Sequence, residues 1–241
     1  MLKKITLQGE QKRVLFLPPT NPIQIKGVAG SGKTTVALYR AKHLLETQAN
    51  LFKETKIVIF TYNKTLAAYI TAIKPYINGG YQKDSDEIKP QSADGLNVQI
   101  INFHSWAYHF AGIQYNQTVM QWTQIEYLKN IISGLSSSSS NILFKSTEFF
   151  QEEISWIKGK LFTNKSDYLE AARTGRGTSD RVTKLDKEVI WVVYEKYNQE
   201  LKNRGKVDFD DYAIIALRKI QNDNSFTPPY THIIIDEAHL I

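Results

Sequence analysis

Apolar positions change their spacing twice along this chain, and the changes mark out its organisation. Pro22 to Gly27 reads as a short strand running into a glycine loop, and Thr34 to Glu46 then carries Val36, Ala37, Leu38, Ala41, Leu44 and Leu45 at helical spacing. Lys56 to Tyr62 (KIVIFTY) is a β-branched run short enough for a buried parallel strand, followed by a helical pattern from Lys64 to about Ile73. Asn78 to Asn97 is polar and contains glycine, as an exposed loop insertion would, and Val98 to Asn102 (VQIIN) is a further strand. Strands separated by helices imply a parallel α/β sheet. From about Trp106 to Gly205 the strand signal vanishes, leaving helical stretches at Met120 to Ile132, Glu148 to Ile157 and Lys187 to Leu201. A capped helix at Asp208 to Ile220 and a last strand at His232 to Ile235 return the chain to the sheet. The expected fold is therefore α/β, with a helical insertion between strands.

Composition narrows the class. With 241 residues and 42% hydrophobic content, the chain is long enough to bury one large core or two modest ones. Thirty Lys+Arg against 24 Asp+Glu give a formal charge of +6, which favours an anionic partner without requiring one. The absence of Cys excludes disulfides and Cys-based metal sites, and the five His are too scattered for zinc spacing. No apolar run approaches the roughly 20 residues needed to span a bilayer, and the first residues lack a signal-peptide core, so a cytoplasmic location without membrane contact is expected. The five serines from Ser136 to Ser140 read as a loop. Ala171 to Lys184 is basic and contains glycine, which suits a solvated loop or a phosphate-contacting one.

Two motifs carry chemistry. Gly27-Val28-Ala29-Gly30-Ser31-Gly32-Lys33-Thr34 matches G-x-x-x-x-G-K-[ST] between an expected strand and an expected helix. Gly27, Gly30, Ser31, Gly32 and Thr35 would line a phosphate cradle of backbone N–H groups at a helix N-terminus. Lys33 would reach the β and γ phosphates of ATP, and Thr34 would hold Mg²⁺. At the other end, Ile233-Ile234-Ile235-Asp236-Glu237 reads as a buried strand delivering two carboxylates to its C-terminal end, where open α/β sheets bind ligands. Asp236 would hold Mg²⁺ and Glu237 would polarise the attacking water as general base. Together these motifs specify a P-loop NTPase.

The order of GVAGSGKTT, FTYNKTLAAYI (Phe60 to Ile70), INFHSWAYHF (Ile101 to Phe110), DFDDYA (Asp208 to Ala213) and IIIDEAHL resembles superfamily 1 DNA helicases of the UvrD/Rep-like type. The resemblance implies a RecA-like parallel sheet, incomplete here, with residues 1–105 as the first part of subdomain 1A, 106–205 as a helical 1B insertion and 206–241 as the return to 1A. It implies an ATP-dependent motor on single-stranded DNA, moving 3′ to 5′. Gln11 matches the family's adenine-reading glutamine, although a surface glutamine at a helix start would look the same. Thr61 and Asn63 would bond single-strand phosphates, with Lys64 adding charge, and His104 and Ser105 would form the next contact. A histidine among aromatics is equally a packed core residue. Trp106, Tyr108 and Phe110 could stack on bases but more often such rings are core, and Asp208 and Phe209 suit a structural role. His239 stands where the common family spelling has Gln, so it would couple the γ-phosphate to DNA with a pH-dependent charge.

The family resemblance also implies a second RecA-like lobe that supplies arginines to the transferred phosphoryl group. The 241 residues are accordingly expected to be the front part of a longer helicase that binds nucleotide and DNA but barely turns over alone. A different P-loop ATPase, or a short binding module that borrows a partner lobe, are the alternatives.

Overall fold

The computed structural model describes residues 7–48, 55–62, 68, 98–135, 140–173 and 181–236. By contacts the chain divides into one unit within residues 1–106 and 225–241 and a second at 107–224.

Among the described residues the first unit holds a parallel sheet of three strands, β1 (Ile57–Thr61), β2 (Val98–Asn102) and β3 (His232–Ile235), in the order β2-β1-β3. The register aligns Ile57 with Val98 and His232, and Thr61 with Asn102, so the C-terminal ends of all three strands lie at one edge. β1 is central and carries Ile57, Val58 and Ile59 fully buried, as a continuous apolar run in a two-faced sheet requires. Helices α1 (Glu10–Leu15) and α2 (Lys33–Gln48) complete this unit in the described residues, together with the start of α3 (Phe103–Ala111). Leu38, Ala41 and Leu44 of α2 pack with Ile57, Ile59 and Val98.

Two expectations change. Pro22 to Gly27 forms no strand and pairs with none among the described residues, and Ile23 and Ile25 are 43% and 44% exposed. Pro22 has no N–H to give a ladder, and alternating isoleucines alone do not make a strand without a neighbour to bond. The triple-isoleucine strand is also not buried throughout: among the described residues β3 has a strand neighbour on one side, with Ile233 56% and Ile235 49% exposed, while Ile234 packs against the core. The helix expected at 64–73 and the loop expected at 78–97 lie outside the described residues, except residue 68, which is helical.

The second unit is helical: α4 (Gln121–Gly134), α5 (Thr147–Gly159), α6 (Lys165–Glu170), α7 (Lys184–Asn203) and α8 (Phe209–Asn222), with short 3-10 turns at Tyr115–Gln117 and Asn141–Phe144. Leu128, Phe150, Ile157, Tyr168, Ile190 and Val193 form its core. Its helices start where local chemistry says they should: Ser146, Asn164, Thr183 and Asp208 each accept a first-turn N–H at their helix N-caps. Of the segment 206–241, α8 groups with these helices and β3 with the sheet. α8 is held there by its buried Tyr212 and Ala216 and by its capping residue Asp208, which receives the Lys158 ammonium.

Candidate nucleotide site

The glycine loop runs into α2, so the first residues of that helix present unpaired N–H groups beside Lys33. Gly30 and Gly32 adopt φ of 77° and 80°, a region that L side chains rarely enter, and a Cβ built on Gly27 would meet Ser31 Oγ at 2.7 Å. The loop is thus a cradle that glycine keeps open. Lys33 curls back over it, its Nζ donating to the carbonyls of Gly27 and Val28 at 3.0 Å each. Neutral carbonyl partners bind an ammonium more weakly than phosphate oxygens do, so this arrangement can be exchanged for an anion.

Across the sheet edge, Asp236 follows β3, its N–H bonded to Phe60 O at 2.9 Å, and is only 7% exposed. Thr34 Oγ1 donates to Asp236 Oδ2 at 2.9 Å, joining residues from the two motifs that stand far apart in sequence. A hydroxyl and a carboxylate in contact are the hard oxygen donors Mg²⁺ takes when phosphate oxygens and waters complete its octahedron. Among the described residues there is no group of three or more His, Cys, Asp or Glu that could hold a metal ion. Thr35 is half-buried beside Thr34.

Gln11 lies on the other side of the loop. Its Nε2 donates to Ser31 O at 2.8 Å, and its Oε1 accepts from Gln8 N at 3.0 Å. The structure therefore brings Gln11, Ser31, Lys33, Thr34 and Asp236 into one neighbourhood. Glu237 and His239 lie outside the described residues, as do Asn63 and Lys64.

Of the expected DNA-facing residues, the described ones, Thr61, His104 and Ser105, lie at or just beyond the C-terminal ends of β1 and β2. Thr61 ends β1 at 1% exposure. Asn102, which sequence reasoning did not single out, organises this corner: its Nδ2 donates to Tyr62 O at 2.6 Å and its Oδ1 accepts the Ser105 N–H at 3.1 Å. One side chain ties the end of β1 to the start of α3. An Asn immediately before an aromatic helical run is a cap signal that could have revealed it. His104 stands edge-on to Tyr62 with ring centroids 5.0 Å apart, and burial lowers its pKa, so it favours the neutral imidazole. Trp106 stacks on Phe103 at 6.1 Å and meets Phe60 edge-on at 5.3 Å, a packed arrangement. In the helical unit Tyr108 leans on Tyr212 and Phe110 receives Lys219 over its ring at 5.2 Å. Of the basic segment, residues 171–173 and 181–184 are described, Lys184 already opening α7, and Arg173 is committed to Glu153 of α5.

A glycine cradle at the head of a helix, a lysine folded over it and an acidic residue at a neighbouring strand end, on a parallel sheet, define a P-loop fold of the RecA type. The chain belongs to the UvrD/REP helicase N-terminal domain family, which it matches over residues 7–239. It is also similar to the ATP-dependent DNA helicase PcrA of Leuconostoc citreum, at 25% identity over 202 residues that cover 83% of this chain and 24% of the relative. The chain thus spans about a quarter of that relative's length. Among the described residues no helix is long and apolar enough to cross a membrane.

Proposed function

We propose that this chain is the nucleotide-binding and single-strand-binding front of an ATP-dependent DNA helicase, in which Mg-ATP hydrolysis drives movement along single-stranded DNA. The observation that carries the reading is the Thr34–Asp236 hydrogen bond, which joins the phosphate-loop helix to the acidic strand end beside Lys33. Family membership and the relative named as a DNA helicase support the same direction.

In this reading Lys33 leaves the carbonyls of Gly27 and Val28 for the β and γ phosphates, and the N–H groups of Gly30 to Thr35 surround them. Bound Mg²⁺ supplies charge neutralisation between those phosphates. Thr34 and Asp236 would hold it, Asp236 directly or through water, their side-chain oxygens already lying together at the loop. Gln11 reads the adenine, using the amide that now closes on Ser31 O. Glu237 accepts the proton of the attacking water. Thr61, Asn63, Lys64, His104 and Ser105 form the single-strand contacts at the C-terminal edge of the sheet, with His239 coupling them to the γ-phosphate. Residues 1–105 and 206–241 serve as subdomain 1A and 106–205 as 1B. A second RecA-like lobe, from the same protein or another chain, completes the motor, which works in the cytoplasm.

Titrating the chain with a fluorescent ATP analogue, with and without Mg²⁺ and a single-stranded oligonucleotide, tests this. Mg²⁺-dependent binding that Lys33→Ala and Asp236→Asn both weaken is the expected result. Equal affinity in the presence and absence of Mg²⁺, or no loss in either variant, would overturn it.

A further inference from the structure

We propose that Arg40 is a positioning residue for base recognition: it holds α1, and with it Gln11, against the phosphate loop, and so sets the preference for adenine. The inference deepens the nucleotide reading above and rests on Gln11 facing the base.

α1 is six residues long and buries none of them. A helix this short is not stable by itself, and here it has no fully buried apolar side chain of its own to fasten it. Leu7, at 6% exposure, anchors the chain just before it. Towards the loop, α1 is tied by Gln11 Nε2 to Ser31 O. At its far end the tie is Arg40, whose guanidinium donates through Nη1 to Leu15 O and through Nη2 to Leu17 O. The last carbonyls of a helix lack partners within it and form its negative pole. The planar guanidinium takes one of these, Leu15 O, and with its second nitrogen reaches Leu17 O just beyond the helix, fixing the helix end and the chain that leaves it together. Phe16 adds an edge contact with His43 of α2, its ring remaining 70% exposed.

Arg40 itself is 8% exposed, and burial lowers its pKa from an ordinary value so high that the guanidinium stays charged. It stands on the same face of α2 as Lys33, two turns further on. The helix that opens with the phosphate-binding lysine therefore also carries the clamp for the base-reading helix. The clearance is small: a Cβ on Gly32 would lie 3.0 Å from Gln11 Nε2, so a shift of α1 moves Gln11 relative to the loop it now touches. Reading adenine needs the amide's donor and acceptor aimed at two atoms at once, which a loosened helix does not provide.

Arg40→Met keeps the aliphatic stem and helix preference while removing the donors. Binding of ATP, GTP and inorganic tripolyphosphate, each with Mg²⁺, is measured for the wild-type chain, Gln11→Ala and Arg40→Met, alongside amide hydrogen exchange at residues 10–17 and 57–61. The expected result for Arg40→Met is about tenfold weaker ATP binding, an ATP:GTP ratio falling towards one, and tripolyphosphate affinity kept within about twofold. Exchange should quicken at 10–17 and stay slow at 57–61. If the wild type prefers ATP and Gln11→Ala loses that preference, then Arg40→Met keeping it, or losing ATP and tripolyphosphate equally, overturns the role of Arg40 alone. A wild-type chain with no preference for ATP, or a Gln11→Ala variant that retains it, overturns the reading of Gln11 and the Arg40 inference with it.

Discussion

The phosphate loop and the carboxylate cluster of the helical unit each centre on a lysine, and the two lysines have opposite occupations. Lys33 is half-buried and bonded to two neutral carbonyls of its own loop. Lys158 is 3% exposed and bonded at 2.7 Å to both Asp208 Oδ2 and Asp211 Oδ1. Around Lys158 the polar groups close a network: Tyr197 OH donates to Asp208 at 3.0 Å, Ser155 Oγ donates to Asp210 at 3.1 Å, and Asp208 and Asp211 form the capping box of α8. Burial opposes the charge on Lys158, but Asp208 and Asp211 more than offset it and raise its pKa. An ammonium whose charge is already compensated has little to offer a ligand. One that rests on carbonyls still has its charge to give, and that difference separates a binding lysine from a structural one of the same chemical type.

Replacing the structural lysine should have the largest effect on stability. Lys158→Ala leaves Asp208 and Asp211 buried without their cation and should destabilise the chain by about 3–5 kcal/mol, read as a lower midpoint in urea. A loss under about 1 kcal/mol would mean that the cluster is hydrated and the comparison false.

The loop lysine should behave in the reverse manner. Lys33→Ala should weaken Mg-ATP binding by roughly 10–100-fold, the worth of a charge-assisted hydrogen bond, while moving the thermal midpoint by less than about 2 °C. Comparable losses of stability from both lysines would erase the distinction.

Asp210 sharpens it further. Burial, and then the neighbouring Asp208, push its pKa up to about 6, with Lys158 and the Ser155 hydroxyl acting in the other direction. A carboxyl whose folded pKa lies above its ordinary value near 4 binds more protons folded than unfolded between those limits. Stability from this group therefore falls as pH rises from about 4 to about 6. Asp210→Asn keeps an acceptor for Ser155 and should flatten that part of the pH profile, with a modest gain at pH 7 in thermal melts. An unchanged slope would show that Asp210 titrates as an exposed carboxyl.

The smallest effect expected is at a cap. Thr183 Oγ1 accepts the Asp186 N–H at the start of α7, and the Asp186 carboxylate accepts the Thr183 N–H in return. Thr183→Ala should cost about 1 kcal/mol in chemical denaturation and leave nucleotide binding untouched.

Much of this was legible in the chain. The spacing of apolar positions identified the three described strands and the helices α4, α5, α7 and α8, because a buried parallel strand and an amphipathic helix each impose their own period on side chains, whereas the short α6 and the aromatic-rich α3 gave no such signal. G-x-x-x-x-G-K-T named the cradle because a side chain at Gly27 would meet Ser31 and because Gly32 adopts φ of 80°, which favours glycine. Pairing was less legible: Ile23 and Ile25 look like strand residues, and nothing local says that no described neighbour bonds them.

Residue types in order therefore determined most of the elements, where several helices begin and which groups could meet a phosphate, since these follow from local sterics and hydrogen-bonding capacity. Tertiary structure alone decided that Thr34 reaches Asp236, that Arg40 caps the carbonyls of Leu15 and Leu17, and that Lys158 is spent on Asp208 and Asp211. Each of those contacts joins residues distant in the chain, and whether a charged side chain is available or committed depends on which partner the fold brings within reach.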